Sequence, residues 1–116
     1  MSEPPTKQLV CEFPVRDLER ALTFYRQLGF SVLRSDHDFA VLLWEECELF
    51  LAVDAAIADN ATNVRIMVDD VDARWQRVQQ LGARIITPIR DAAYGLRDFT
   101  CCDPDGNRLR FASRLG

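Results

Sequence analysis

The sequence predicts an α+β fold of two tandem βαβββ modules, in each of which a helix covers one face of a sheet. Three observations predict it: an internal repeat, one amphipathic helix in each copy, and a run of short strands after each helix. Residues 13–29, FPVRDLERALTFYRQLG, superpose on residues 66–82, IMVDDVDARWQRVQQLG, at a constant offset of 53. Val15 falls on Val68, Asp17 on Asp70, Leu22 on Trp75, and Gln27-Leu28-Gly29 on Gln80-Leu81-Gly82. A chain of 116 residues suits a single domain, 1–116, with the modules at about 8–53 and 63–112.

The first module opens on an apolar stretch, 8–15, expected as a strand. Leu18, Ala21, Leu22, Tyr25 and Leu28 then recur at helical spacing, so one stripe of that helix faces a core. Asp17 stands where a carboxylate can accept the unpaired first-turn N–H groups, and Gly29 where a left-handed cap is cheapest. Strands follow at 30–34, 38–44 and 48–53, the last two joined by Glu45-Glu46-Cys47. Asp54 to Thr62 is the expected linker. The second module repeats the order: a strand at 63–69, a helix striped by Val71, Trp75, Val78 and Leu81 between Asp70 and Gly82, and strands at 84–87, 95–102 and 107–112. Asp103-Pro104-Asp105-Gly106 joins the last two with proline and glycine at the positions a tight turn favours. A unit of this size with one helix on one sheet face is marginal alone, so the halves should pack together or against another subunit.

Strand alternation sorts the faces. Val64, Ile66 and Val68 should meet the helices, leaving Asn63, Arg65 and Met67 opposite; Cys11, Phe13 and Val15 should turn inward, leaving Val10 and Glu12 outside. A three-residue turn at Pro104-Asp105-Gly106 would pair Thr100 with Arg110 and Cys102 with Arg108, sending Phe99, Cys101, Leu109 and Phe111 to the core. The uncovered face then holds Glu12, Asn63, Arg65, Thr100, Arg108 and Arg110 beside Trp44, Phe50, Ala52 and Met67. A few polar groups among aromatic and apolar walls make a small-molecule pocket, and Glu12, Trp44, Phe50, Asn63, Arg65, Thr100 and Arg110 are the expected ligand-binding residues. The competing reading is a solvated face or a subunit contact.

Composition narrows the classes. Hydrophobic residues make up 48% and charged residues 28%, which speaks against disorder. The net charge of −4 and the lack of a Lys/Arg cluster speak against nucleic acid. No apolar run reaches the length of a membrane span, and the start lacks the shape of a signal peptide, so no membrane partner and a cytoplasmic location are expected. Cys11, Cys47, Cys101 and Cys102 lack metal-site spacing and read as buried thiols. No nucleophile elbow, phosphate loop or dinucleotide fingerprint is present.

VRDLERALTFYRQLGF, VDDVDARWQRVQQLGAR and DPDGNRLRF, in this order across a repeat, resemble the glyoxalase / bleomycin-resistance / extradiol-dioxygenase superfamily, the vicinal-oxygen-chelate fold. The resemblance covers about residues 8 to 112. It implies that the strands form a curved mixed sheet, a cup with the helices on its outer face, and a homodimer whose modules shape two pockets; in the enzymes it implies a divalent metal held by four side chains. Those four positions correspond here to Val10, Ala52, Asn63 and Arg110, where the enzymes have Glu at the last. None is a good ligand, since two lack donor atoms and a guanidinium repels a cation. His37, the single histidine, falls in a loop. No metal, no cofactor and no catalytic residue are therefore expected. The resemblance thus implies a metal-free small-molecule-binding protein of the bleomycin-resistance type, sequestering an antibiotic or other toxic ligand in a cup shared by a dimer. The alternatives are a metal-dependent lyase, isomerase or dioxygenase of the same superfamily, and a binding partner of other proteins. Ligand charge stays open: the net charge favours a cation, whereas Arg65, Arg108 and Arg110 favour an anionic or carboxylate-bearing group.

Overall fold

In the computed structural model, which describes residues 9–57 and 62–116, the two aspartates start the two helices. Asp17 accepts from the Arg20 backbone N–H and caps α1, Leu18–Leu28; Asp70 accepts from that of Ala73 and caps α2, Val71–Leu81. The expected first-strand start at residue 8 and linker residues 58–61 lie outside the described residues. Gly29 ends α1 with φ 122°, and a Cβ there would stand 3.1 Å from an Arg74 nitrogen and 3.3 Å from the Trp44 ring. Both conformation and space therefore demand glycine at that cap.

The first module supplies β1 Cys11–Val15, β2 Ser31–Ser35, β3 Phe39–Trp44 and β4 Cys47–Val53. The second supplies β5 Asn63–Met67, β6 Arg84–Asp91, β7 Leu96–Cys102 and β8 Arg108–Arg114. The result is an α+β fold with the predicted βαβββ order in each half. Hydrogen bonding divides the strands into two four-stranded mixed sheets, ordered β1-β4-β3-β2 and β5-β8-β7-β6. In each, the first strand runs parallel to the last, and the remaining pairs are antiparallel. β6 runs four residues past the expected end at 87. As a sheet-edge strand it tolerates Pro88, which lies where the register to β7 shifts.

The helix-facing sides of both sheets meet in one core. Phe13, Val15, Leu22, Tyr25, Leu42 and Leu51 of the first module join Val78, Phe99, Leu109 and Phe111 of the second in a single buried cluster. The Phe99 and Phe111 rings stack at 5.4 Å, so the last hairpin sends its aromatic residues inward as its turn geometry predicts.

The β7–β8 turn also clasps the first module. Buried Asp103 accepts from the Tyr25 hydroxyl (2.7 Å), the Asn107 side-chain amide (2.8 Å), and the backbone N–H groups of Asp105 (2.8 Å) and Asn107 (2.9 Å). Asp105 accepts from the backbone N–H of Arg16 (3.0 Å) and from the guanidinium groups of Arg16 and Arg20. Asn107 reaches across to donate to the Pro14 carbonyl at 2.9 Å. Burial pushes the Asp103 carboxyl upward against the pull of these donors, and burial beside Asp103 pushes the Tyr25 phenol well up.

Candidate functional site

Each sheet keeps one face turned away from the shared core, and these outward faces hold most of the predicted site. On the second sheet, Asn63 pairs with Arg108 and Arg65 with Arg110 across parallel β5 and β8, while Thr100 pairs with Arg110 across antiparallel β7 and β8. Alternation sets all of them opposite to Phe99, Leu109 and Phe111. Arg110 Nε donates to Thr100 Oγ1 at 3.3 Å. The Arg65 guanidinium carbon lies 5.8 Å from the centroid of the Tyr94 ring, and the Tyr94 hydroxyl donates to buried Asp98. Arg90 pairs with the same carboxylate at 3.4 Å. Tyr94 is thus a neighbour of the site that alternation did not nominate, whereas Asp98 shares the face of Thr100 two residues along β7. A tyrosine in the loop before that strand is the only signal for Tyr94 in the chain.

Glu12 and Phe50 pair with each other on the outward face of the first sheet, where the Phe39 ring meets Phe50 edge-on at 5.2 Å. Within one chain the predicted ligand-binding residues therefore fall into two groups, one per sheet. Trp44 belongs to neither. It shares the side of β3 that buries Ala40 and Leu42, where it packs 5.0 Å from Phe30 and 5.7 Å from Phe111. The Arg74 guanidinium lies 4.6 Å over its ring. Trp44 sits at the seam between the modules and off the outward face, where it lines an open groove together with Arg65. Sequence reasoning put it on the wrong face because β3 reads FAVLLW, apolar at every position, and offers no contrast to show which side faces in.

The cysteines also divide. Cys101 and Cys102 are buried, but Cys11 and Cys47 are exposed, which corrects the reading of all four as buried. Cys11 begins an edge strand and Cys47 follows the β3–β4 turn; both line an open groove of about 650 Å³. Burial pushes the Cys101 thiol up to about 12, and burial raises Cys102 despite the nearby Arg84 and Arg108 guanidinium groups. In the native protein at pH 7.5, a thiol reagent is expected to modify Cys11 and Cys47 within minutes and Cys101 and Cys102 only after unfolding. Native-state labelling of Cys101, located by peptide mass analysis, would contradict this assignment.

The metal that the fold implies in its enzymes does not fit these residues. Of the four corresponding positions, Asn63 and Arg110 are placed on the second sheet among Arg65 and Arg108, so a cation there would face guanidinium groups. Ala52 and Val10 carry no donor atom. His37 lies fully in solvent, 3.7 Å from Asp38. No described helix is long and apolar enough to cross a membrane.

Paired βαβββ modules, each a four-stranded mixed sheet with one face turned away from a shared core, define the fold class of this chain. The chain belongs to the Glyoxalase/Bleomycin resistance protein/Dioxygenase superfamily, whose profile matches residues 7–111. It is 27% identical over 129 residues to a bleomycin resistance protein of Geobacillus stearothermophilus, covering 93% of this chain and 97% of that one. The same figures hold for a bleomycin resistance protein of Staphylococcus aureus. Its fold matches a bleomycin resistance determinant encoded on the transposon Tn5 with a TM-score of 0.82 at 21% identity, over 94% of this chain and 98% of that one. It also matches a bleomycin-binding protein in complex with bleomycin, with a TM-score of 0.80 at 21% identity, over 94% and 99%.

Proposed function

We propose that this protein binds and sequesters a toxic small molecule, an antibiotic or a compound of similar size, without a metal and without chemically changing it. The observation that carries this reading is the outward face of the second sheet. There Arg65 pairs with Arg110, with Asn63 two residues before Arg65 on the same face, and among the described residues no group of three or more His, Cys, Asp or Glu side chains could hold a metal ion. Thr100 beneath Arg110 is already engaged as its hydrogen-bond acceptor, and Cys102 is a buried thiol of raised pKa. The 27% identity to bleomycin resistance proteins over most of the chain supports the same class.

The binding unit in this reading is a two-fold homodimer. Glu12 and Phe50 lie on one sheet and Arg65 and Arg110 on the other, so a single cup containing both groups needs the first module of one copy to face the second module of its partner. The edge strands β1 and β5, with Leu9 and Met67 exposed beside them, supply the unpaired backbone and apolar surface for that contact.

The test is a thermal-shift screen of toxic natural products, followed by recovery of each stabilising compound from the complex. Expected are a dimer by sedimentation at micromolar concentration and a ligand recovered chemically intact without added metal. A ligand recovered as product, or stabilisation that requires a divalent ion, would replace sequestration with catalysis. A species of only 13.3 kDa would remove the shared cup.

A further inference from the structure

Strand pairing arranges the outward face of the second sheet as a grid. Asn63, Arg108, Cys102 and Arg84 lie side by side across β5, β8, β7 and β6. The next row runs Arg65, Arg110, Thr100 and Thr87, and the next Met67, Ala112, Asp98 and Arg90. Neighbouring strands stand about 4.8 Å apart, and successive same-face residues about 7 Å, so Arg65, Arg108 and Arg110 occupy adjoining corners of one small patch. Like charges at adjoining positions of a sheet repel. None of Arg65, Arg84, Arg108 and Arg110 forms an ion pair with a described carboxylate. The one acid in the grid, Asp98, is already matched by Arg90 and the Tyr94 hydroxyl.

We propose that this patch is an oxyanion site: the ligand carries a carboxylate, phosphate or sulfonate, and Arg65 and Arg110 grip it. The inference rests on the reading of this face as the ligand-binding face and names the chemistry it recognises. Both guanidinium groups are oriented without being neutralised. Arg110 spends only Nε on Thr100 Oγ1, which leaves its terminal fork of donors free. Arg65 is steadied by the Tyr94 ring, which Asp98 in turn holds through the hydroxyl. The acidic net charge of the whole chain does not reverse this local field. The field of an exposed charge is largely screened beyond about 8 Å in physiological salt, and although Glu45, Glu46 and Glu48 line one groove with Arg65, that groove's lining includes neither Arg108 nor Arg110. A cationic ligand laid on this face would meet four unopposed guanidinium groups.

The test compares two fluorescent probes of one ring system: 1-anilinonaphthalene-8-sulfonate, which is anionic, and N-phenyl-1-naphthylamine, which is neutral. Both are titrated at low ionic strength into wild type, an Arg65→Gln/Arg110→Gln double variant, and an Arg26→Gln control on the helical surface, each checked for cooperative unfolding. Expected is sulfonate binding about tenfold or more tighter than that of the neutral amine, lost by about tenfold or more in the double variant and kept in the control. Millimolar inorganic phosphate should compete with the sulfonate and not with the amine. Equal binding of both probes, indifferent to the double substitution, would overturn the oxyanion site while leaving a ligand-binding face. Tight sulfonate binding that survives the double substitution would overturn it as well. Failure of both probes to bind would remove the oxyanion site and the binding face together.

Discussion

Asp103→Ala is expected to destabilise the protein by about 3 kcal/mol or more, since it leaves several buried donors without an acceptor and each such group costs about 1–3 kcal/mol. The substitution strips the common acceptor from the Tyr25 hydroxyl, the Asn107 amide and two backbone N–H groups, all within the clasp that joins the second module to the first. A domain has only about 5–15 kcal/mol to lose, so the melting temperature should fall by more than about 10 °C. Tyr25→Phe removes a single donor to the same carboxylate and should cost less, about 1.5–3 kcal/mol. The pH dependence has a definite sign. Burial raises the folded-state pKa of Asp103 above its unfolded value, so the native state holds this proton more tightly. Its contribution to stability therefore falls as pH rises from the unfolded carboxylate range through the folded-state pKa, and is flat above it. That dependence should vanish in Asp103→Ala. A variant melting within about 2 °C of wild type at pH 7 would show that the clasp is not what joins the modules.

Trp44→Ala is expected to cost about 2–4 kcal/mol of stability while leaving the affinity for 1-anilinonaphthalene-8-sulfonate within about twofold of wild type. The ring fills the seam between Phe30, Phe111 and the Arg74 guanidinium, so its removal opens a cavity between modules and leaves Arg74 without its aromatic partner. Were Trp44 a stacking platform for ligand, the opposite pattern would be measured: near-normal urea denaturation and a large loss of affinity. The two outcomes separate a residue that builds the scaffold from one that reads the ligand.

The sequence by itself determined the repeat, both helices with their aspartate caps, the βαβββ order and the inward aromatics of the last hairpin. Each of these is written in local chemistry. Helical stripes recur every three to four residues, Asp17 and Asp70 cap because their first-turn N–H groups lack partners, and Pro104 and Gly106 set the turn that pairs Thr100 with Arg110. The second-sheet part of the candidate site was legible for the same reason, since Asn63-Val64-Arg65-Ile66-Met67 alternates polar and apolar and names its own faces. Only the tertiary structure decided the rest. It placed Trp44 in the seam, because an all-apolar strand carries no record of which side is inward until α1, α2 and Phe111 close over it. It exposed Cys11 and Cys47, because Cys11 opens an edge strand and Cys47 stands beside the β3–β4 turn, where burial depends on what lies across the gap and not on the strand's own alternation. It also separated Glu12 and Phe50 from Arg65 and Arg110, because one shared core draws the inner faces of two distinct sheets together and thereby turns their outward faces apart.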